Sequence, residues 1–205
     1  MIKDPNFVNK HGETPLFKAK TAREVELLVA RGADVNATGK NKQTALFSAK
    51  TLEVQAALLA AGANPNAVDG MGRTPLFSVP SSDPAFTDNL IRAGADVNWS
   101  DQQGNTPLYY AVWVWKPDVV TRLLAAGANV SARNNAGETP LFWAHEPDFA
   151  ELLLQHGADP FATDNEGNLP LVEAAVVARA AHRRKTLLSV VANTARVPEL
   201  GRRAM

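Results

Sequence analysis

Cysteine is absent from all 205 residues, which removes disulfides, thiolate nucleophiles and thiolate metal sites and leaves the redox compartment open. Net charge is lacking too: 21 lysines and arginines balance 21 aspartates and glutamates, so no global field draws the chain to nucleic acid or to an anionic bilayer. No apolar run approaches the ~20 residues that span a bilayer, and the N-terminal stretch has no basic-then-apolar leader pattern. Membrane insertion is therefore not expected. Histidines are few, and His11, His145, His156 and His182 stand in separate contexts without the spacing that sets two zinc ligands on one helical face. His145-Glu146-Pro147-Asp148 comes nearest to a metal cluster, but Pro147 disfavours helical backbone at Glu146 and the segment reads as a turn. Gly70-Met71-Gly72-Arg73-Thr74 lacks the lysine and the length of a phosphate loop. Nothing here points to a catalytic residue, a cofactor or a metal, so an enzyme is not expected.

Repetition is what the chain has in abundance. Gly-Ala-Asn or Gly-Ala-Asp begins at Gly32, Gly62, Gly94, Gly127 and Gly157. Thr-Pro-Leu-aromatic, or a near copy, begins at Thr14, Thr44, Thr74, Thr106 and Thr139 and weakens to Leu169-Pro170-Leu171-Val172. From each glycine to the next of these positions is always 12 residues, whereas from each threonine to the following glycine is 18, 18, 20, 21 and 18. A joint of constant length beside a segment of variable length is what a stacked solenoid needs, because neighbours keep register at the connection. Thr14, Thr74, Thr106 and Thr139 read as N-caps with proline at the first helical position. A second helix follows each short first one, over 24–30, 53–61, 86–93, 119–126 and 149–155, and glycine ends it in a left-handed conformation. In the first of these, Val25, Leu27, Leu28 and Ala30 form the expected buried stripe. Polar, Asn- and Gly-rich fingers such as Ala132-Arg133-Asn134-Asn135-Ala136-Gly137-Glu138 fit tight turns.

Thr106-Pro107-Leu108-Tyr109-Tyr110-Ala111 resembles the ankyrin signature Thr-Pro-Leu-His-x-Ala, and the resemblance covers about residues 4–190. It implies an all-α solenoid of helix-turn-helix units joined by hairpin-like fingers, with about five to six repeats. Most periods are 30 residues against a family pattern near 33, shortened where Lys20-Thr21-Ala22 and Lys50-Thr51-Leu52 stand between paired helices, and Lys116-Pro117 occupies the family's Gly-His turn. The signature histidine is replaced by Phe, Tyr or Val, which puts apolar packing where the family has a polar network. One domain is expected over 1–194, with a partial joint at 1–13, a C-terminal cap at 169–194 and a tail at 195–205. The stretch 79–84, Val-Pro-Ser-Ser-Asp-Pro, is expected to end the third repeat's first helix early. The run Arg183-Arg184-Lys185 reads as a solvated cap face, not a nucleic-acid site. The sequons at Asn98 and Asn129 fall in the repeated joint and are expected to bond local backbone. The compartment is left open by the sequence: cytoplasmic is the expectation for the chain as given, and periplasmic if a leader precedes Met1.

Aromatic residues are unevenly placed, with all four tryptophans between Trp99 and Trp143. Tyr109, Phe142 and Phe149 fall on core positions. Trp99 stands in a finger where other repeats have Ala37, Ala67, Ala132 and Ala162, and Tyr110 and Trp143 occupy equivalent positions in adjacent repeats. By the resemblance, these with Trp113 and Trp115 line the partner-binding side, and Val68, Met71, Arg73, Gln102 and Arg133 extend it from the finger tips. The expected partner is another folded protein, with the free chain monomeric. An inhibitor or immunity protein directed at a bacterial toxin or cell-wall hydrolase is the specific form weighed, by general likeness to compact bacterial ankyrin proteins. A small-ligand protein stacking its ligand on the rings, and a structural adaptor, are the alternatives.

Overall fold

A computed structural model describes residues 4–10, 12–78 and 83–171. The expected cap from Val172 onward, the tail at 195–205, the first residues of the N-terminal joint and most of the 79–84 interruption lie outside the described residues. Six α-helices are present among them: α1 (Ala22–Ala30), α2 (Leu52–Ala60), α3 (Ala85–Arg92), α4 (Pro107–Trp113), α5 (Pro117–Ala125) and α6 (Pro147–Gln155). Strands are absent from the described residues, apart from one isolated bridge between Thr38 and Thr44. The result is an all-helical stack. Five of the helices are the expected second helices, displaced by at most two residues. The starts of α1, α5 and α6 each come two residues early, the last two at Pro117 and Pro147, which stand at N1.

First helices depart from expectation. In four repeats they are single 3-10 turns, Pro15–Lys18, Ala45–Ser48, Pro75–Ser78 and Pro140–Trp143, and only the repeat with a 33-residue period has an α-helix, Pro107–Trp113. In the three repeats with 30-residue periods too few residues remain for α-type bonds before the next helix begins; the third, with 32, has the 79–84 interruption after its turn. The threonine caps change with the helix type. Thr106 accepts from the Tyr109 N–H at 3.4 Å, as a cap should. In the 3-10 turns the equivalent N–H groups, on Phe17, Phe77 and Phe142, donate instead to the threonine backbone carbonyls, so the hydroxyls of Thr14, Thr74 and Thr139 are buried without a partner. The cap reading of those three residues is thus corrected. Side-chain caps do appear at Thr21 and Thr51, which accept from Glu24 N–H and Val54 N–H. Glu24 reaches back to the Lys20 N–H at 2.6 Å, close to a capping box.

The core consists of two ladders of leucines. Leu16, Leu46, Leu76, Leu108 and Leu141 come from the signature, and Leu28, Leu58, Leu90, Leu123 and Leu153 stand four residues before each joint glycine; all are buried. In α1 the stripe is Val25, Leu28 and partly buried Val29, at i, i+3 and i+4. Leu27 is 42% exposed and Ala30 is also exposed, which corrects their assignment to the core: at 100° per residue both point away from Val25.

Joints are held by a repeated asparagine clamp. The Asn36 side chain donates to Gly62 O and accepts from Asn64 N–H. Asn6 does the same to Gly32 and Asp34, Asn66 to Gly94 and Asp96, and Asn98 to Gly127 and Asn129. The Asn98 side chain therefore bonds across a repeat boundary, not locally as expected, while Asn129 accepts locally from Ser131 N–H. Neighbouring fingers also pair through backbone: Gly70 N–H to Asn41 O, Gln102 N–H to Met71 O, Asn135 N–H to Gln103 O and Asn165 N–H to Ala136 O. These bonds take over the polar role that the missing histidines leave vacant.

Candidate functional site

The longer fourth repeat places its first helix so that three residues past the proline project a row of rings. Tyr110 meets Phe77 of the previous repeat edge-on at 5.3 Å, Trp113 meets Tyr110 at 5.8 Å, and Trp113 meets Trp143 of the next repeat at 6.4 Å. Tyr109 and His145 complete the chain, each against Trp143. Edge-to-face contacts of this kind favour a fixed arrangement. Tyr110 and Trp143 are not directly paired as their equivalent positions suggest, because Trp113 stands between them. Trp113 is 51% exposed although two rings hold it. Asn105, Tyr109, Tyr110, Trp113 and Trp143 line a cavity of about 180 Å³.

Beneath the rings lies Glu138. Its Oε2 accepts from Tyr109 Oη at 2.9 Å, Asn134 Nδ2 at 2.9 Å and Trp143 Nε1 at 3.2 Å. Burial pushes the carboxyl pKa up, yet the bonds from Asn134, Trp143 and Tyr109 outweigh it and hold the group below the usual carboxylate range. The partner phenol is driven the other way: burial, then the bond to Glu138 and its charge, keep Tyr109 protonated well above the ordinary tyrosine range. Glu138 was not among the expected site residues. Its position at the end of a finger carries no local signal, and although Asn134 and Trp143 are near in sequence, the Tyr109 donor comes from the preceding repeat.

The finger residues divide into two groups. Val68 and Met71 are exposed. Arg73, Trp99, Gln102 and Arg133 are engaged in structure. Arg73 donates through Nε and an Nη to Asp69 Oδ2, while Asp69 Oδ1 accepts from the Met71 and Arg73 N–H groups. Burial raises the Asp69 pKa, but the Arg73 and backbone bonds prevail and lower it. Trp99, half-buried, donates from Nε1 to Gly72 O at 2.8 Å and so ties adjacent fingers. Gln102 donates to Gly70 O, and Arg133 to Thr163 O. Trp115 is separate from the ring row: it lines a different cavity with Pro117 and Phe149. The structure thus unites Tyr110, Trp113 and Trp143, uses Trp99 as an inter-repeat tie and sets Trp115 apart.

A family model described as ankyrin repeats (3 copies) matches residues 50–134 and 78–164, together more than half of the chain. No curated protein matches it.

Proposed function

We infer the function from one premise: the chain belongs to the ankyrin-repeat family. It is a protein–protein interaction module, and the surface that best fits a folded partner is the ring row of Tyr110, Trp113 and Trp143 with the exposed finger residues Val68 and Met71. The observation that carries this reading is Trp113, half exposed yet held edge-on by a ring on each side. A rigid, exposed tryptophan offers large contact area at little ordering cost, which is how hot-spot residues work. The cavity among the rings, about 180 Å³, is below the ~300–1,000 Å³ of ordinary ligand pockets, which favours a protein surface over a small planar ligand. Within this reading, we propose that the partner is an enzyme that the module inhibits, of the toxin or cell-wall hydrolase kind.

The test uses the chain as bait against lysate of its source cell, with Trp113→Ala as control. A direct partner binds the native chain at least ~30-fold more tightly than the variant, at the ~2 kcal/mol expected of a hot spot, with an unchanged melting temperature. If the variant captures the same proteins, or melts early, the ring row is not the contact. If the partner is an enzyme whose turnover the chain leaves unaltered, the inhibitor reading falls and an adaptor remains.

A further inference from the structure

A second cavity, of about 410 Å³, opens at the end of the repeats remote from the fingers, where first and second helices are joined. Its walls are Trp115, Pro117, Phe149 and Leu152, and Glu146 and Asp148 complete the lining. Trp115 is 54% exposed and stands at φ +59°, in the left-handed region that bulky residues avoid. It closes α4: Trp115 N–H donates to Val112 O at 3.2 Å and Lys116 N–H to Ala111 O at 3.0 Å. This is the helix-ending turn whose left-handed position suits glycine. At the ends of the second helices the corresponding residues are glycines, Gly32, Gly62, Gly94, Gly127 and Gly157. The backbone here would be satisfied by glycine, and the ring adds little to the core because it is half in solvent.

The two carboxylates are available to a ligand. Glu146 makes no side-chain cap bond to α6, and neither it nor Asp148 joins the ion pairs formed among the described residues. An apolar trough with an indole wall and two acidic groups has the charge and shape of a cation receptor. Guanidinium fits better than ammonium: it is planar, stacks on an indole face, is weakly hydrated and bonds carboxylates through a fork.

We propose that this cavity docks an arginine side chain of a partner protein, its guanidinium stacked on Trp115 between Glu146 and Asp148 and its stem along Pro117, Phe149 and Leu152. The site is independent of the ring row and stands whether or not that row binds.

The probe is the blocked tripeptide acetyl-Ala-Arg-Leu-amide, titrated to millimolar concentration into the isotope-labelled chain, with the citrulline peptide as its uncharged isostere. The Trp115 indole N–H and the amides of Phe149 and Leu152 shift saturably with the arginine peptide only. Neutralising both carboxylates, Glu146→Gln with Asp148→Asn, weakens binding roughly three- to tenfold. Trp115→Gly abolishes the Phe149 and Leu152 shifts while raising the melting temperature by roughly 2–4 °C, since the strain is relieved. Unmoved resonances overturn the proposal. So does an equal response to the citrulline peptide, which would mean an apolar trough alone, or native affinity in the double variant. If the double variant does not fold, the citrulline comparison on the native chain decides.

Discussion

Glu138 concentrates three donors on one oxygen, and its charge is what makes that arrangement favourable. Because its folded pKa lies below the unfolded value of about 4.3, the carboxylate adds stability that is fully present above that value. The contribution fades as pH falls through the folded pKa. Glu138→Gln keeps an acceptor oxygen but loses the charge, so it is expected to cost about 1–2 kcal/mol at neutral pH, the difference between charged and neutral hydrogen bonds. Urea midpoints of the two proteins should converge below pH 4; a gap that stays constant with pH would show that charge is not the cause. Residues of this kind were the least legible in the sequence. Glu138 and Asn98 look like ordinary turn residues, and their partners lie up to about 30 positions away, at distances only the stacking defines. Trp99 and Trp115 stand out in the sequence, yet nothing local to them says that one ties two fingers and the other occupies a left-handed turn.

Helical elements show the opposite balance. Joints and second helices were legible because a constant spacing and a 3.6-residue period act within each repeat, whereas the buried stripe of α1 was legible at Val25 and Leu28 but not at Leu27 and Ala30. Helix type in the first position was also encoded, in the contrast between 30- and 33-residue periods, but reading it requires counting backbone bonds. Those bonds lead to a testable contrast between chemically identical positions. Thr139 has a buried hydroxyl with no partner, whereas that of Thr106 caps α4. Valine at 139 should be neutral or stabilising by up to about 1 kcal/mol, since an orphan polar group is removed at constant shape, whereas valine at 106 should cost about 1 kcal/mol. Thermal melts of the two variants check this. Equal losses would mean that both hydroxyls are satisfied in solution.

At the scale of the whole stack, stability is a sum of repeats and of the joints between them. Four joints have the asparagine clamp, but at the fifth its position is occupied by Ser131, whose short hydroxyl cannot both donate to Gly157 O and accept from Asp159 N–H. Ser131→Asn should restore the pair and raise stability by about 0.5–1.5 kcal/mol, and Asn98→Ala should lower it by about 1–2 kcal/mol. Hydrogen exchange locates the effect: Ser131→Asn should slow exchange in α6 more than in α1, and uniform slowing would argue against a local joint. The clamps and finger bonds have a mechanical meaning as well. They join successive repeats side by side, so a pull on the two ends loads them in series, like links of unequal strength. The weakest link yields first and releases about 100 Å of chain, some 30 residues at ~3.4 Å each, before its neighbours feel the full tension. With no clamp at Ser131, slack is paid out at the joint after α6, at Gly157, while the clamped joints on either side of Tyr110 and Trp113 stay assembled.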